Sequence, residues 1–309
     1  MCNKNVILFP GLGSQYNDMA KKLLCVPKCK KIFMYASEII NCDLISLLES
    51  EVNNLKAKIM QPLLLTYGIA SYIMLKDYLE FKIFLGHSLG ELVALTAAGY
   101  INFEEALLFS VERGKYYDNA LEKGEVAVVI GIEKNALEDI IDQIFDPIYI
   151  TAYNTKSQFL VAGSGNGIRE LEKKIKGTEV IFIPYSMLPQ RKNVPVHCEL
   201  MKTQNKESLI FSGKIEINSN IVFSSITGKH YVTPDEVVDN LKKQIYLPVL
   251  WSVAMENLFR MEPNIIVDAG PQRVLKDFAL ELADDKYKKH ILAADLANDL
   301  EQIKRKKVE

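Results

Sequence analysis

Phe84-Leu85-Gly86-His87-Ser88-Leu89-Gly90-Glu91 joins an apolar run, Lys82 to Leu85, to a helical run, Leu92 to Ala98. The first reads as a buried strand and the second as a helix, so the chain turns sharply between them with Ser88 at the apex. Gly86 and Gly90 lack Cβ atoms, which lets strand and helix pack closely while the serine backbone holds a strained conformation. The new helix aims its first amides and its positive dipole end at charge developing beside the serine. A bare G-x-S-x-G string also arises by chance, as a tight turn with a capping serine. A strand before it and a helix after it favour a nucleophile elbow, and the chemistry implied is acyl transfer through a serine ester.

Outward from this turn, the chain of 309 residues is 49% hydrophobic, enough to bury a large core and to carry a smaller unit on a big domain. Lys+Arg 37 against Asp+Glu 39 leaves a net charge of -2. No global field therefore favours nucleic acid or an anionic membrane. The five cysteines, Cys2, Cys25, Cys29, Cys42 and Cys198, are odd in number and lack CxxC spacing. They are expected as free thiols in a reducing cytosol, with Cys25 and Cys29 sharing a helix face. Histidines scattered at 87, 197, 230 and 290 give no metal spacing, so no metal site is expected. The N-terminus has no charged-apolar-small signal pattern, and no apolar run approaches a membrane span. These features predict a cytoplasmic chain.

Val6 to Phe9 reads as a buried strand, broken by Pro10-Gly11-Leu12-Gly13-Ser14 before a helix expected over Gln15 to Leu24. Helices are predicted at Lys28 to Ile40, at Leu63 to Leu79 after Gln61-Pro62, and from Phe103 to about Leu121. From Glu125 the texture changes. Strands at Val126 to Ile130, Ile148 to Ala152, Phe159 to Ala162 and Val180 to Pro184 alternate with helices at Lys134 to Ile144 and Ile168 to Ile175. The order βαββαβ is a ferredoxin-like pattern. The chain then returns through Met187 to His197. Strands at Ile221 to Ser225, Ile265 to Val267 and His290 to Leu292 alternate with helices at Pro234 to Ile245, Val249 to Arg260 and Val274 to Ala283, as parallel α/β layers require. The basic run Lys304 to Lys307 reads as a solvated helix end.

Several stretches, in order and nearly end to end, resemble the malonyl-CoA:acyl-carrier-protein transacylase family. They are Phe9 to Gln15, Gln61-Pro62, Gly86 to Glu91, Arg113-Gly114, Val194 to Cys198, Ser225 to Gly228, Gln244 to Trp251 and Asp268 to Pro271. The resemblance implies an α/β fold: an α/β-hydrolase-like large subdomain over residues 1–124 and 194–309, with an inserted ferredoxin-like small subdomain over 125–193. It implies Ser88 as nucleophile and His197 as its base, oriented by a backbone carbonyl from the segment at Gln244. His87, next to the nucleophile, is left to packing and loop hydrogen bonding.

Arg113 would by default be one more solvated helix charge. The resemblance instead gives it the free carboxylate of a malonyl group, held by two parallel N–H···O bonds. The oxyanion hole falls to the backbone amides of Leu12 and Leu89. Gln61 is either a pocket residue or a polar helix start before Pro62.

Five positions depart from the family pattern. Leu12 replaces glutamine, Ala152 asparagine, Leu250 arginine and Gln272 glycine, while Val196 is neither of the residues linked to malonyl or methylmalonyl choice. The implied activity is transfer of malonyl from malonyl-CoA to the phosphopantetheine thiol of an acyl carrier protein, by ping-pong through the serine ester. The departures tilt its setting from fatty-acid towards polyketide synthesis. The alternatives are a hydrolase that unloads stalled acyl groups from carrier proteins, favoured by Leu12 but not by Arg113, and a non-catalytic docking protein, which would have no reason to keep Ser88, His197 and Arg113 together. No bound cofactor is expected, only the coenzyme A thioester as substrate. The expected partners are an acyl carrier protein and malonyl-CoA, with no nucleic acid or membrane, and the chain is expected as a monomer.

Overall fold

The computed structural model describes residues 3–49, 52–120, 124–184, 194–202 and 209–306. Among these the strands, in chain order, are β1 (Val6–Phe9), β2 (Ile83–Gly86), β3 (Glu125–Ile130), β4 (Ile148–Tyr153), β5 (Gln158–Gly163), β6 (Ile181–Pro184), β7 (Ile221–Phe223), β8 (Ile266–Asp268) and β9 (Ile291–Ala293). The first helices are α1 (Lys21–Leu24), α2 (Pro27–Ile39), α3 (Leu44–Leu48), α4 (Ala57–Leu75), α5 (Leu89–Ala97) and α6 (Phe103–Asp118). Then come α7 (Lys134–Ile141), α8 (Gly165–Ile175), α9 (Pro234–Lys243), α10 (Trp251–Arg260), α11 (Val274–Leu282), α12 (Asp285–Lys288) and α13 (Ala297–Arg305).

The larger sheet is parallel, in the order β7-β2-β1-β8-β9. Its central strand β1 has no exposed residue, because both faces are covered. Ile7 and Phe9 pack into one apolar cluster, with α2, α4 and α5, while Val6 and Leu8 pack into a second, with α10 and α11. Period-two alternation thus serves two cores at once. The smaller sheet is antiparallel, in the order β4-β5-β3-β6, with α7 and α8 in the connections. This is the ferredoxin-like arrangement that the βαββαβ order predicts. Its strand β4 is stitched to the larger body through Val249, whose N–H donates to Thr151 O at 2.9 Å and whose carbonyl accepts from Tyr153 N at 2.8 Å. Ala152, in the asparagine position, is fully buried at that junction.

Three expectations need correction. The helix predicted over Gln15 to Leu24 is only Lys21–Leu24, because Asp18 takes a left-handed backbone (φ 64°) that ends any earlier helical run. Cys25 and Cys29 do not share a helix: Cys25 lies exposed at the end of α1, and Cys29 is buried in α2, giving its Sγ–H to Ala70 O. The helix predicted from Leu63 to Leu79 instead runs Ala57–Leu75, with Pro62 inside it. The earlier start has a remote cause. The Asp118 carboxylate at the end of α6 accepts from Ala57 N at 2.8 Å and Lys58 N at 2.9 Å, capping α4 from another helix. Pro62 then forfeits a single intrahelical bond.

Cys2, Leu121, Lys307 and most of the return segment from Met187 lie outside the described residues, and the helix expected to reach about Leu121 ends at Asp118. Among those described, no helix is long and apolar enough to cross a membrane, and no cluster of His, Cys, Asp and Glu could hold a metal ion.

Candidate active site

The turn between β2 and α5 exists because two glycines leave room for it. A Cβ on Gly86 would lie 1.9 Å from the Gly90 carbonyl carbon, and one on Gly90 would lie 1.8 Å from the Phe9 carbonyl oxygen. No side chain fits at either place. Ser88 at the apex adopts φ 55° and ψ −116°, a conformation costly for a residue with a Cβ. Tight backbone packing on both sides imposes it. The loop after β1 passes alongside, since a Cβ on Gly11 would lie 2.7 Å from the His87 carbonyl oxygen and 3.4 Å from the Leu89 nitrogen. Leu12 follows that closest approach. Leu89 is the first residue of α5, so its N–H precedes the helix's own hydrogen bonds.

Ser88 Oγ lies 2.7 Å from His197 Nε2. His197 also has a left-handed backbone (φ 60°), and its N–H donates to Ile245 O at 3.0 Å. Its Nδ1 lies 2.6 Å from the Gln244 carbonyl oxygen. A carbonyl can only accept, so the proton sits on Nδ1 and Nε2 is left with a lone pair facing the serine hydroxyl. Burial first, and then the nearby Arg113 charge, hold His197 down to about 3. The imidazole is therefore neutral across the physiological range, the form that can take a proton. His87, next to the nucleophile, turns away: its Nε2 meets Asn154 Oδ1 at 2.9 Å, and its ring packs near Trp251 and Phe278.

Arg113 is not a solvated charge. Only 1% of it is exposed, and Gly114 explains how it gets there, since a Cβ on Gly114 would lie 2.4 Å from Ala57 O. The glycine lets α6 press against the start of α4, bringing Arg113 to Gln61. Nη1 donates to Gln61 Oε1 at 2.8 Å; Nη2 donates to Gln244 Oε1 at 2.9 Å and to Ser88 Oγ at 3.2 Å. The guanidinium also lies over the Tyr117 ring, 4.9 Å from its centroid. These oxygens are all neutral. Arg113 Nε and Gln61 Nε2 are buried with no hydrogen-bond partner among the described residues. Arg113 thus brings a full positive charge to within hydrogen-bond reach of Ser88, and it and Gln61 each keep an unused donor, which suits an incoming carboxylate. Gln61 is no helix start; it lies fully buried within α4.

Sequence reasoning missed the layer beneath. The Gln244 side chain is as engaged as its carbonyl, donating through Nε2 to Glu91 Oε2 at 2.6 Å, Ser88 O at 3.1 Å and Ser225 Oγ at 3.2 Å. Glu91, 1% exposed, also accepts from Ser225 N, Ser225 Oγ and Tyr231 OH. Glu91 and Ser225 stand within the motifs that carry the family resemblance, but their type and spacing alone assign them no task. Gln272 sits in the left-handed region (φ 66°) where the family has glycine, and its Nε2 donates to Ser14 O at 3.1 Å beside the Gly11–Leu12 loop.

Comparison with known proteins covers nearly the whole chain. The model of the acyl transferase domain family matches residues 6–278. A malonyl CoA-acyl carrier protein transacylase from Bacillus subtilis is 29% identical over 290 residues, 88% of each chain. One from Haemophilus influenzae is 28% identical over 296 residues, 91% of this chain and 93% of that one. Among solved structures, FabD from Acinetobacter baumannii superposes with a TM-score of 0.88 at 26% identity, covering 100% of this chain and 99% of its own.

Proposed function

The chain belongs to the acyl transferase domain family, and from that premise we propose that it moves a malonyl group from coenzyme A to the phosphopantetheine thiol of an acyl carrier protein. The observation that carries the acyl group's identity is Arg113: a buried guanidinium beside the nucleophile whose partners are neutral oxygens. A charge kept in that state has a partner still to come, and the free carboxylate of malonyl supplies it. Acetyl and fatty acyl groups do not.

In the first half-reaction Ser88 Oγ attacks the thioester carbonyl carbon while His197 Nε2 takes the hydroxyl proton. The carbonyl oxygen becomes an oxyanion and takes hydrogen bonds from the Leu12 and Leu89 amides. As the tetrahedral centre collapses, the C–S bond breaks and the coenzyme A thiolate leaves with the proton from His197. The second half-reaction runs in reverse with a different thiol. His197 takes the proton of the phosphopantetheine thiol, the thiolate attacks the serine ester, and Ser88 regains its proton as it departs.

A hydrolase that unloads carrier proteins would need water as the second acceptor, and a carboxylate clamp serves it no purpose. The named relatives are transacylases. The test is reconstitution with malonyl-CoA and a holo acyl carrier protein, reading the carrier's mass. A malonyl-carrier product supports the reading; free malonate as the main product would replace it with the hydrolase.

A further inference from the structure

The Gln244 carboxamide could lie either way round, and its neighbours decide which. On one side stand Glu91 Oε2 and the Ser88 carbonyl oxygen, which only accept; on the other stands Arg113, which only donates. The amide nitrogen must therefore face Glu91 and the amide oxygen must face Arg113. Of the acceptors, Glu91 makes the closest contact with Nε2, at 2.6 Å against 3.1 Å for Ser88 O. Its carboxylate is fixed in turn by Ser225 and Tyr231. The result is a buried chain, Arg113–Gln244–Glu91, with a cation at one end and an acid at the other. One neutral amide separates them.

We propose that Glu91 is a positioning residue of the substrate-carboxylate site: through the Gln244 amide it holds an oxygen against Arg113 and keeps the guanidinium aimed at the space beside Ser88. The separation has a chemical use. A carboxylate placed directly on Arg113 would occupy the donors that malonyl needs, whereas the amide oxygen orients them and gives way to a stronger acceptor. With leucine at position 91, Gln244 Nε2 loses its closest acceptor, so the amide is no longer fixed and its oxygen no longer holds Arg113 on its aim.

The inference rests on the malonyl reading above, and the test separates the two. Loading of Ser88 from malonyl-CoA and from acetyl-CoA is followed by intact-protein mass in the wild type, Glu91→Leu, Gln244→Met and the double variant. The wild type is expected to load malonyl much faster than acetyl. The malonyl-to-acetyl ratio should fall about tenfold in Glu91→Leu and by a similar factor in Gln244→Met, and the double variant should lose no more than either, because both cut the same chain. A wild type without malonyl preference overturns the substrate reading and this inference with it. A wild type with the preference, combined with an unchanged ratio in Glu91→Leu or additive losses in the double variant, overturns the inference alone. Should Glu91→Leu not fold, Gln244→Met decides, since an unchanged ratio there removes the relay.

Discussion

His197 Nδ1 meets the main-chain oxygen of Gln244 at 2.6 Å, and the side chain of the same Gln244 accepts from Arg113 at 2.9 Å. One residue thus sets the tautomer of His197 and holds the buried Arg113 guanidinium. In many serine enzymes a carboxylate orients the histidine; here a carbonyl does so, which under the proposed function adds no negative charge beside the place the malonyl carboxylate would take.

Arg113→Ala should reduce malonyl loading by about a hundredfold or more, the loss of two charge-assisted hydrogen bonds, and reduce acetyl loading far less. Single-turnover rates with each thioester check this. Equal losses would remove Arg113 from the substrate site.

Burial and the Arg113 charge hold His197 down to about 3, so it stays an unprotonated base far below the usual histidine range. The kcat/KM for malonyl loading should therefore stay level from about pH 8 down to about pH 5, with no step at the ordinary histidine value. In Arg113→Ala one of the lowering charges is gone, and the acid limb should move to higher pH. For stability the sign follows from the same depression. Unfolded His197 binds a proton below its ordinary value while the folded form does not, so this residue's contribution weakens as pH falls from the unfolded pKa towards about 3. Denaturation midpoints of the wild type and His197→Gln across that window measure it.

Gly86→Ala should destabilise the fold by about 3 kcal/mol or more, because the added methyl meets backbone rather than a movable side chain. Gly13→Ala makes a useful contrast: nothing lies within 4 Å of its Cβ, so only backbone strain at φ 107° opposes it. Urea unfolding of both variants should rank Gly86→Ala as the more costly.

The elbow was legible in the sequence because its requirements are local: apolar residues before it, helix formers after it, and glycines at 86 and 90. The small sheet was legible for a similar reason, as its strands and helices alternate with clear periods. What escaped depends on residues far apart in the chain. The start of α4 is set by Asp118, sixty-one residues beyond Ala57, and the burial of Arg113 by the contact of Gly114 with that same helix start. Gln15 to Leu24 looks helical by composition, yet a single left-handed residue, Asp18, prevents the early turns. At the site, resemblance named Gln244 for its carbonyl alone. The tasks of its side chain and of Glu91 emerge only where α5, α9 and the segment after β7 converge.

A malonyl ester on Ser88, stabilised through its free carboxylate, would be seen directly in the mass of the intact protein during incubation with malonyl-CoA, then acetyl-CoA, without a carrier protein. The expected result is a lasting malonyl adduct that is absent in Ser88→Ala, with much weaker acetyl loading. Rapid acetyl turnover with no lasting adduct from either thioester would exclude the malonyl ester.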